Sequence, residues 1–462
     1  MPTKLAALRG DVVSCPDFGS VEIASDHLIL AEASEQGGRI LAIAPGEREA
    51  GVLAKHGLQA GDVQRLKAGQ YILPGFVDLH VHAPQYSYGG TATDRPLMEW
   101  LEVYTFPREG LHEDEAIALA QGLQLARRLV DNGTTCALFF GSLHLSGCKA
   151  LATAMHQVGM RALVGLTAMD RNSPDNYCKS AAANIADLRK FIQFIRQLDT
   201  DLLEPVITPR FIPTCSKELL QGLGEVAAEA GVPVQSHISE SLDEVAFAEH
   251  LHPEVNGRDT PLFDEAGLLT QRCVMAHAVW LEDDELRVLA DRGSAIAHCP
   301  LSNFFFADKL LRVKHCRSLG VKVGLGTDIA GGYSPSMLNA MRNAVIASKA
   351  LRMQAIIHKH SKGQEPKAKD REAEIDIDAD LIGWKEALWL ATQGGAEALG
   401  LQDSIGQLQV GKQLDALLVD CTKADTFDIY PADTSLDRLE KFATVGDDRN
   451  ISGVWIKGRR VK

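Results

Sequence analysis

The residues best equipped for chemistry are His80 and His82, two imidazoles one residue apart at the end of the apolar run 72–82. If that run is a strand, residues i and i+2 leave it on one face, so both rings reach the same point, a spacing suited to gripping a metal ion. An HxH pair alone says little, and His358 with His360 supplies an internal control: that second pair opens a charged stretch remote from any strand end and reads as solvated surface. His80 and His82 gain weight from His237, His277, His298 and Asp328, each closing a later apolar run. A single buried histidine is ordinarily a hydrogen-bonded core residue. Several at strand ends, with a carboxylate and no thiolate, describe a nitrogen and oxygen site for zinc or iron with a position left for water. Such an ion lowers the pKa of water until hydroxide is available near neutral pH, which makes hydrolysis the expected chemistry.

The elements that must carry these residues are eight apolar runs, at 72–82, 134–140, 161–169, 204–211, 232–238, 273–278, 294–300 and 321–328, alternating with amphipathic helical segments. Eight strands alternating with helices predict an α/β fold, a (β/α)8 TIM-like barrel whose reactive groups gather at the C-terminal strand ends. One connecting helix is expected in the segment 114–133, with Leu119, Leu123, Ala126 and Val130 on one face and Gly133 as its C-terminal cap. The segments before residue 71 and after residue 400 offer short strand-like runs broken by Gly and Pro. They predict a small β-sandwich domain in two parts, 1–70 and 401–462, flanking a barrel at 71–400, since the first and last elements of a closed barrel are neighbours. The stretch 358–378, charged and containing Pro366, reads as an exposed loop or insertion.

Bulk properties exclude several classes. With 462 residues and 45% hydrophobic content the chain can bury a large core. Its 61 acidic against 47 basic residues give a net charge of −14, and no Lys/Arg block is present to follow a phosphate backbone, so no nucleic-acid partner is expected. Nine cysteines without a CxxC pair suit a reducing compartment, and the absence of a long apolar run predicts a soluble cytoplasmic protein with no membrane partner. Cys215 and Cys299 lie near strand ends but have no identifiable base and read as small hydrophobes. The glycines after Asp328 lack phosphate-loop spacing and read as a tight turn. His252-Pro253-Glu254 has the HxE form of another deaminase fold without its P-C-x-x-C partner, which removes that fold from consideration.

The stretches 74–85 (PGFVDLHVHAPQ), 237–240 (HISE), 298–303 (HCPLSN) and 324–332 (GLGTDIAGG), with a His closing the sixth run, together resemble the metal-dependent amidohydrolase superfamily over nearly the whole chain. More narrowly, 82–90 (HAPQYSYGG), 209–211 (PRF) and 237–241 (HISES) are similar to its guanine-deaminating members, in the ATZ/TRZ-like branch. The resemblance implies that His80, His82, His237 and Asp328 hold one zinc ion per subunit, with iron as the alternative metal. Dinuclear relatives carry a modified lysine at the end of the fourth strand, where this chain has Arg210. His277 would contact or polarise the activated water, Asp328 would accept its proton, and Glu240 would carry a proton to a ring nitrogen and to departing ammonia. The implied substrate contacts are His82, Gln85, Arg210, Phe211, His237, Glu240 and Asp328. Gln85 offers a donor and an acceptor, Arg210 a planar fork that matches adjacent O6 and N7 acceptors, and Phe211 an apolar face. Competing readings are an ion pair for Arg210, core packing for Phe211 and a solvated or capping carboxylate for Glu240. The implied activity is hydrolysis of guanine to xanthine and ammonia, in purine catabolism, by a homodimer. The alternatives are an enzyme acting on 8-oxoguanine, a pterin or a triazine, including a chlorohydrolase, or an inactive barrel serving as a binding scaffold. His298 either supports the metal shell or fills a hydrogen-bonded niche.

Overall fold

The structure, a computed structural model, describes residues 5–33, 37–361, 378–423 and 425–462. The apolar runs become eight parallel strands: Phe76–His82, Thr134–Phe140, Arg161–Ala168, Leu203–Pro209, Val234–Ile238, Cys273–His277, Ala295–His298 and Lys322–Leu325. They are hydrogen-bonded in chain order and almost wholly buried, as strands covered on both faces must be. The two ends of the sheet meet beyond the last strand, where Asp328 N–H donates to the His80 carbonyl at 2.8 Å and His82 N–H to the Ile329 carbonyl at 2.9 Å. The chain is thus a (β/α)8 barrel, and its closing seam sets Asp328 beside the paired histidines.

The first apolar run divides. Gln70–Pro74 leaves the barrel and pairs with Ala416–Asp420 on one side and Leu5–Ser14 on the other. The Pro74-Gly75 break allows the chain to turn from one sheet into the next. This second, mixed sheet orders its strands as 459–460, 451–456, 416–420, 70–74, 5–14, 22–32 and 40–45, with 64–65 beside 5–14. Both ends of the chain therefore contribute, around a core that includes Leu8, Ile29, Ile72, Leu418 and Trp455. Arg161, at the start of the third barrel strand, donates to the Asp415 carboxylate at 3.1 Å and fastens this sheet to the N-terminal rim of the barrel, away from the strand ends that carry the histidines.

Helix Glu115–Asp131 is capped by Asp114, whose Oδ1 accepts from the Ala116 and Ile117 amides, and ends before Gly133 at φ +86°. Half of its expected face is buried, Ala126 and Val130, whereas Leu119 and Leu123 are only half-buried and Ala118, Gly122, Leu125 and Leu129 complete the buried side. Small residues face the neighbouring helix Leu145–Val158 so closely that a Cβ on Gly122 would stand 3.0 Å from that of Ala154. Helix Met337–Ser361 carries His358 and residue 360 in its last turns rather than in a loop, since no Gly or Pro intervenes to stop it. The middle of the stretch 358–378 expected as a loop or insertion, residues 362–377, lies outside the described residues. Among the described residues no helix is long and apolar enough to cross a membrane.

Candidate active site

Five of the strand-end residues converge. His80 Nε2 lies 3.2 Å and His82 Nε2 3.6 Å from Asp328 Oδ1. His82 Nε2 and His237 Nε2 face each other at 3.0 Å, and His277 Nε2 is 3.5 Å from Glu240 Oε1 and 3.8 Å from Asp328 Oδ2. Potential ligand atoms cluster within 4.8 Å in overlapping sets: His80, His82 and His237; His80, His277, Cys299 and Asp328; His237, Glu240 and His277. Three strand ends here hold non-glycine residues in the left-handed region, Ser239 (φ +45°), His277 (φ +70°) and Asp328 (φ +50°). Backbone strain of this sort persists where surrounding structure enforces it, commonly at functional sites.

Hydrogen bonds fix how the rings present themselves. His237 Nδ1–H donates to the Arg210 carbonyl at 2.7 Å, which leaves the lone pair on Nε2 pointing into the cluster. His277 Nδ1–H donates to Asn303 Oδ1 at 2.9 Å. The Nε2 atoms of His80 and His277 are buried and have no hydrogen-bond partner in the protein. Buried polar atoms are ordinarily satisfied, so these orphaned nitrogens fit partners the protein does not itself supply, a cation for His80 and its bound water for His277. Behind them Asp78 accepts from Thr327 N–H at 2.9 Å and Thr327 Oγ–H at 2.6 Å, binding the last strand's loop to the first strand. Burial pushes that carboxyl up to about 7.

Burial first, then repulsion from neighbouring rings and Arg210, holds His80, His82 and His237 well below the usual imidazole range, so all three are neutral and have a lone pair to give. Burial, reinforced by Asp328, pushes Glu240 well above the usual carboxyl range, which suits a group that must hold a proton before donating it. Burial also raises Asp328, against the pull of His277 and Arg210. Cys299 and Cys215 are buried thiols raised by desolvation, Cys215 to about 12, as expected of small hydrophobes. Cys299 nonetheless sits closer to the histidine cluster than its sequence position suggested.

A cavity opens over the cluster, and His82, Gln85, Arg210, Phe211, His237, Glu240, His277 and Asp328 all line it. His80 lies just beneath, 1% exposed. Arg210 lines the cavity and forms the ion pair that was its competing reading, buried rather than at the rim, Nη1 to Glu109 Oε2 at 2.7 Å and Nη2 to Glu109 Oε1 at 3.2 Å. Phe211 is 3% exposed, packed edge-on toward His237 and still in the cavity wall. His298 is buried apart from the wall with Nδ1 unpartnered, and burial holds its ring at about 3. His252 and Glu254 pair with each other at 3.2 Å and with Arg171 and Lys217, outside this cavity.

Sequence reasoning did not find Glu109, Tyr177 or the apolar wall of Leu97, Trp100, Leu101 and Phe306. These residues come from the connection after the first strand and from other loops, where no periodicity marks a residue as inward-facing. Asn303 stood inside a recognised stretch, but only the fold reveals that its Oδ1 accepts the hydrogen bond of His277 Nδ1–H.

An eight-stranded parallel barrel with histidines and an aspartate at its C-terminal strand ends is the architecture of metal-dependent hydrolases. The amidohydrolase family profile matches residues 71–461. A probable guanine deaminase of Schizosaccharomyces pombe is 37% identical over 98% of this chain and 82% of its own length. The guanine deaminase of C. acetobutylicum, solved with guanine in its active site, superposes with a TM-score of 0.85 at 29% identity, covering 99% of this chain and 100% of that one. An adenosine deaminase from Xanthomonas campestris, solved with bound zinc, gives a TM-score of 0.79 at 25% identity over 98% of this chain and 92% of that one. The chain belongs to the amidohydrolase family and, within it, to the branch that its guanine deaminase relatives define.

Proposed function

We propose that this protein hydrolyses guanine to xanthine and ammonia at a single divalent ion, zinc in preference to iron, held by His80, His82, His237 and Asp328. The observation that carries the reading is one cavity whose wall holds His82, His237, His277 and Asp328 together with Gln85 and Arg210, the last two both hydrogen-bonded to Glu109. The zinc in a related deaminase supports the choice of ion. When bound, the ion supplies Lewis acidity that lowers the pKa of water.

The remaining work falls to the chain. Arg210 donates to the oxo face of the base, Gln85 completes its polar edge, and Phe211 with Trp100 and Leu101 excludes solvent. Asp328 accepts a proton from the attacking water, and His277 orients that water through Nε2 while Asn303 holds the ring. As the C2–O bond forms, Glu240 delivers its proton to the adjacent ring nitrogen; its carboxylate then takes the proton of the new C2 hydroxyl and passes it to the amino group, the C2–N bond breaks as C2=O forms, ammonia leaves, and the proton held by Asp328 returns to Glu240. The division into a barrel running from Phe76 to about residue 400 and a terminal β unit that takes in Gln70–Pro74 with the first segment and 401–462, and assembly as a cytoplasmic homodimer, belong to the same proposal. Light scattering tests the assembly.

The direct test follows the absorbance change from guanine to xanthine in purified protein, after chelation and again after zinc is restored. Turnover lost on chelation and recovered with zinc is the expected result. Guanine left intact by the zinc-loaded protein would overturn the reading.

A further inference from the structure

Glu109 is 0% exposed and accepts four hydrogen bonds, two from Arg210 at 2.7 and 3.2 Å, one from Gln85 Nε2 at 2.9 Å and one from Tyr177 O–H at 2.9 Å. It lies at the end of a short helix, Phe106–Gly110, contributed by the connection between the first two barrel strands, and none of the expectations drawn from the sequence included it. An ionised carboxylate can only accept, so each partner is forced to spend a donor on it.

For Gln85 the consequence is a fixed amide. Its NH2 is committed to Glu109, so its Oε1 is the atom left over, approached only by the Ala330 amide at 3.5 Å and otherwise directed at the cavity its side chain lines. For Arg210 the consequence is a clamped fork. One N–H of each terminal nitrogen is taken by Glu109, and the ring of Phe106 covers one face of the guanidinium at 5.1 Å. Its other N–H groups remain for a ligand. The cavity therefore presents donors from Arg210 beside an acceptor from Gln85.

We propose that Glu109 is the positioning residue that sets substrate specificity: through this hub it fixes the donor–acceptor polarity of the cavity to match a lactam, an oxo group next to a ring N–H. Adenine and other 6-amino purines present the reverse order, a donor next to a bare ring nitrogen, and meet donor against donor and acceptor against acceptor. This inference rests on the reading of the cavity as a purine-base site. It adds a cause of discrimination that lies behind the residues touching the base.

Glu109→Gln tests it. The new amide has one accepting end in place of two, so Gln85 is released to turn its NH2 toward the ligand. The readout is binding, by calorimetry on the metal-loaded protein, of hypoxanthine, which carries the lactam but no 2-amino group, and of adenine. Wild type is expected to prefer hypoxanthine, and the variant to lose at least about tenfold of that preference, because a polar group mispaired in a buried site weakens binding by about that factor or more. Tyr177→Phe removes one donor of the four and is expected to lose a few-fold of the preference; it carries the test if Glu109→Gln does not fold. An unchanged preference, or equal weakening of both bases, would overturn the proposal, since a merely structural carboxylate affects both alike. Guanine turnover by wild type is measured alongside. If turnover is absent while the lactam preference and its loss are observed, the assignment of the reaction fails and the role of Glu109 stands; if turnover is present and the preference is insensitive to Glu109, only the role of Glu109 fails.

Discussion

Arg210 has two duties in the structure, and they can be separated. The residue is 2% exposed, and its guanidinium donates from both terminal nitrogens to the fully buried Glu109. In Arg210→Met the carboxylate is left buried without its counter-charge, a change that costs about 3–5 kcal/mol of stability. That deficit has a definite pH dependence. A lone buried carboxylate has its pKa raised, so the folded variant takes up a proton more readily than the unfolded chain, and its disadvantage against wild type shrinks as pH falls below neutral. The double variant Arg210→Met with Glu109→Gln removes both charges and is expected to regain most of the lost stability, because the amide introduced at position 109 still accepts from Gln85 or Tyr177. Activity should not follow. Losing the charged donors to the oxo group lowers kcat/KM for guanine by about 10²-fold or more in the single and double variants alike. Urea unfolding at several pH values, paired with steady-state kinetics, measures both quantities. If activity returned with stability in the double variant, Arg210 would be an ion-pair partner alone and the argument for its contact with substrate would fail.

Two further predictions concern buried titrating groups. Glu240→Gln keeps the shape of the side chain but cannot cycle a proton, so kcat should fall by about 10²–10⁴-fold while metal content stays at the wild-type level; unchanged kcat would remove Glu240 from the proton path. His298 is held at about 3 by burial, whereas the unfolded chain protonates near the ordinary value of about 6.5. Its contribution is complete above about pH 6.5 and is lost as pH falls toward 3, so from pH 6 to pH 5 wild type should lose about 1 kcal/mol more stability than His298→Asn. Parallel unfolding curves for the two proteins at both pH values would contradict this.

The barrel was legible in the sequence because its strands are buried on both faces and read as unbroken apolar runs, and the histidines at their ends were legible because strand geometry projects them the same way. What eluded the sequence has physical causes. The strand Gln70–Pro74 read as the start of the first barrel strand because Pro74-Gly75 is a break in direction without a break in hydrophobicity. In Glu115–Asp131 the expected Ala126 and Val130 are buried, but in its first turns packing selected Ala118 and Gly122 for closeness, whereas hydrophobicity favours Leu119 and Leu123. Glu109 was invisible because a buried carboxylate is recognised by its partners, and Arg210, Gln85 and Tyr177 lie 24 to 101 residues away along the chain.

The central claim is that this cavity selects guanine among the heterocycles that related barrels process. The measurement that tests it is kcat/KM of the zinc-loaded protein for guanine, adenine, 8-oxoguanine and a pterin under one set of conditions. The account predicts that guanine leads by at least about 10²-fold and that adenine is left unchanged, because its 6-amino group opposes the donors of Arg210. A higher value for any other member of the set, or turnover of adenine comparable to that of guanine, would contradict it.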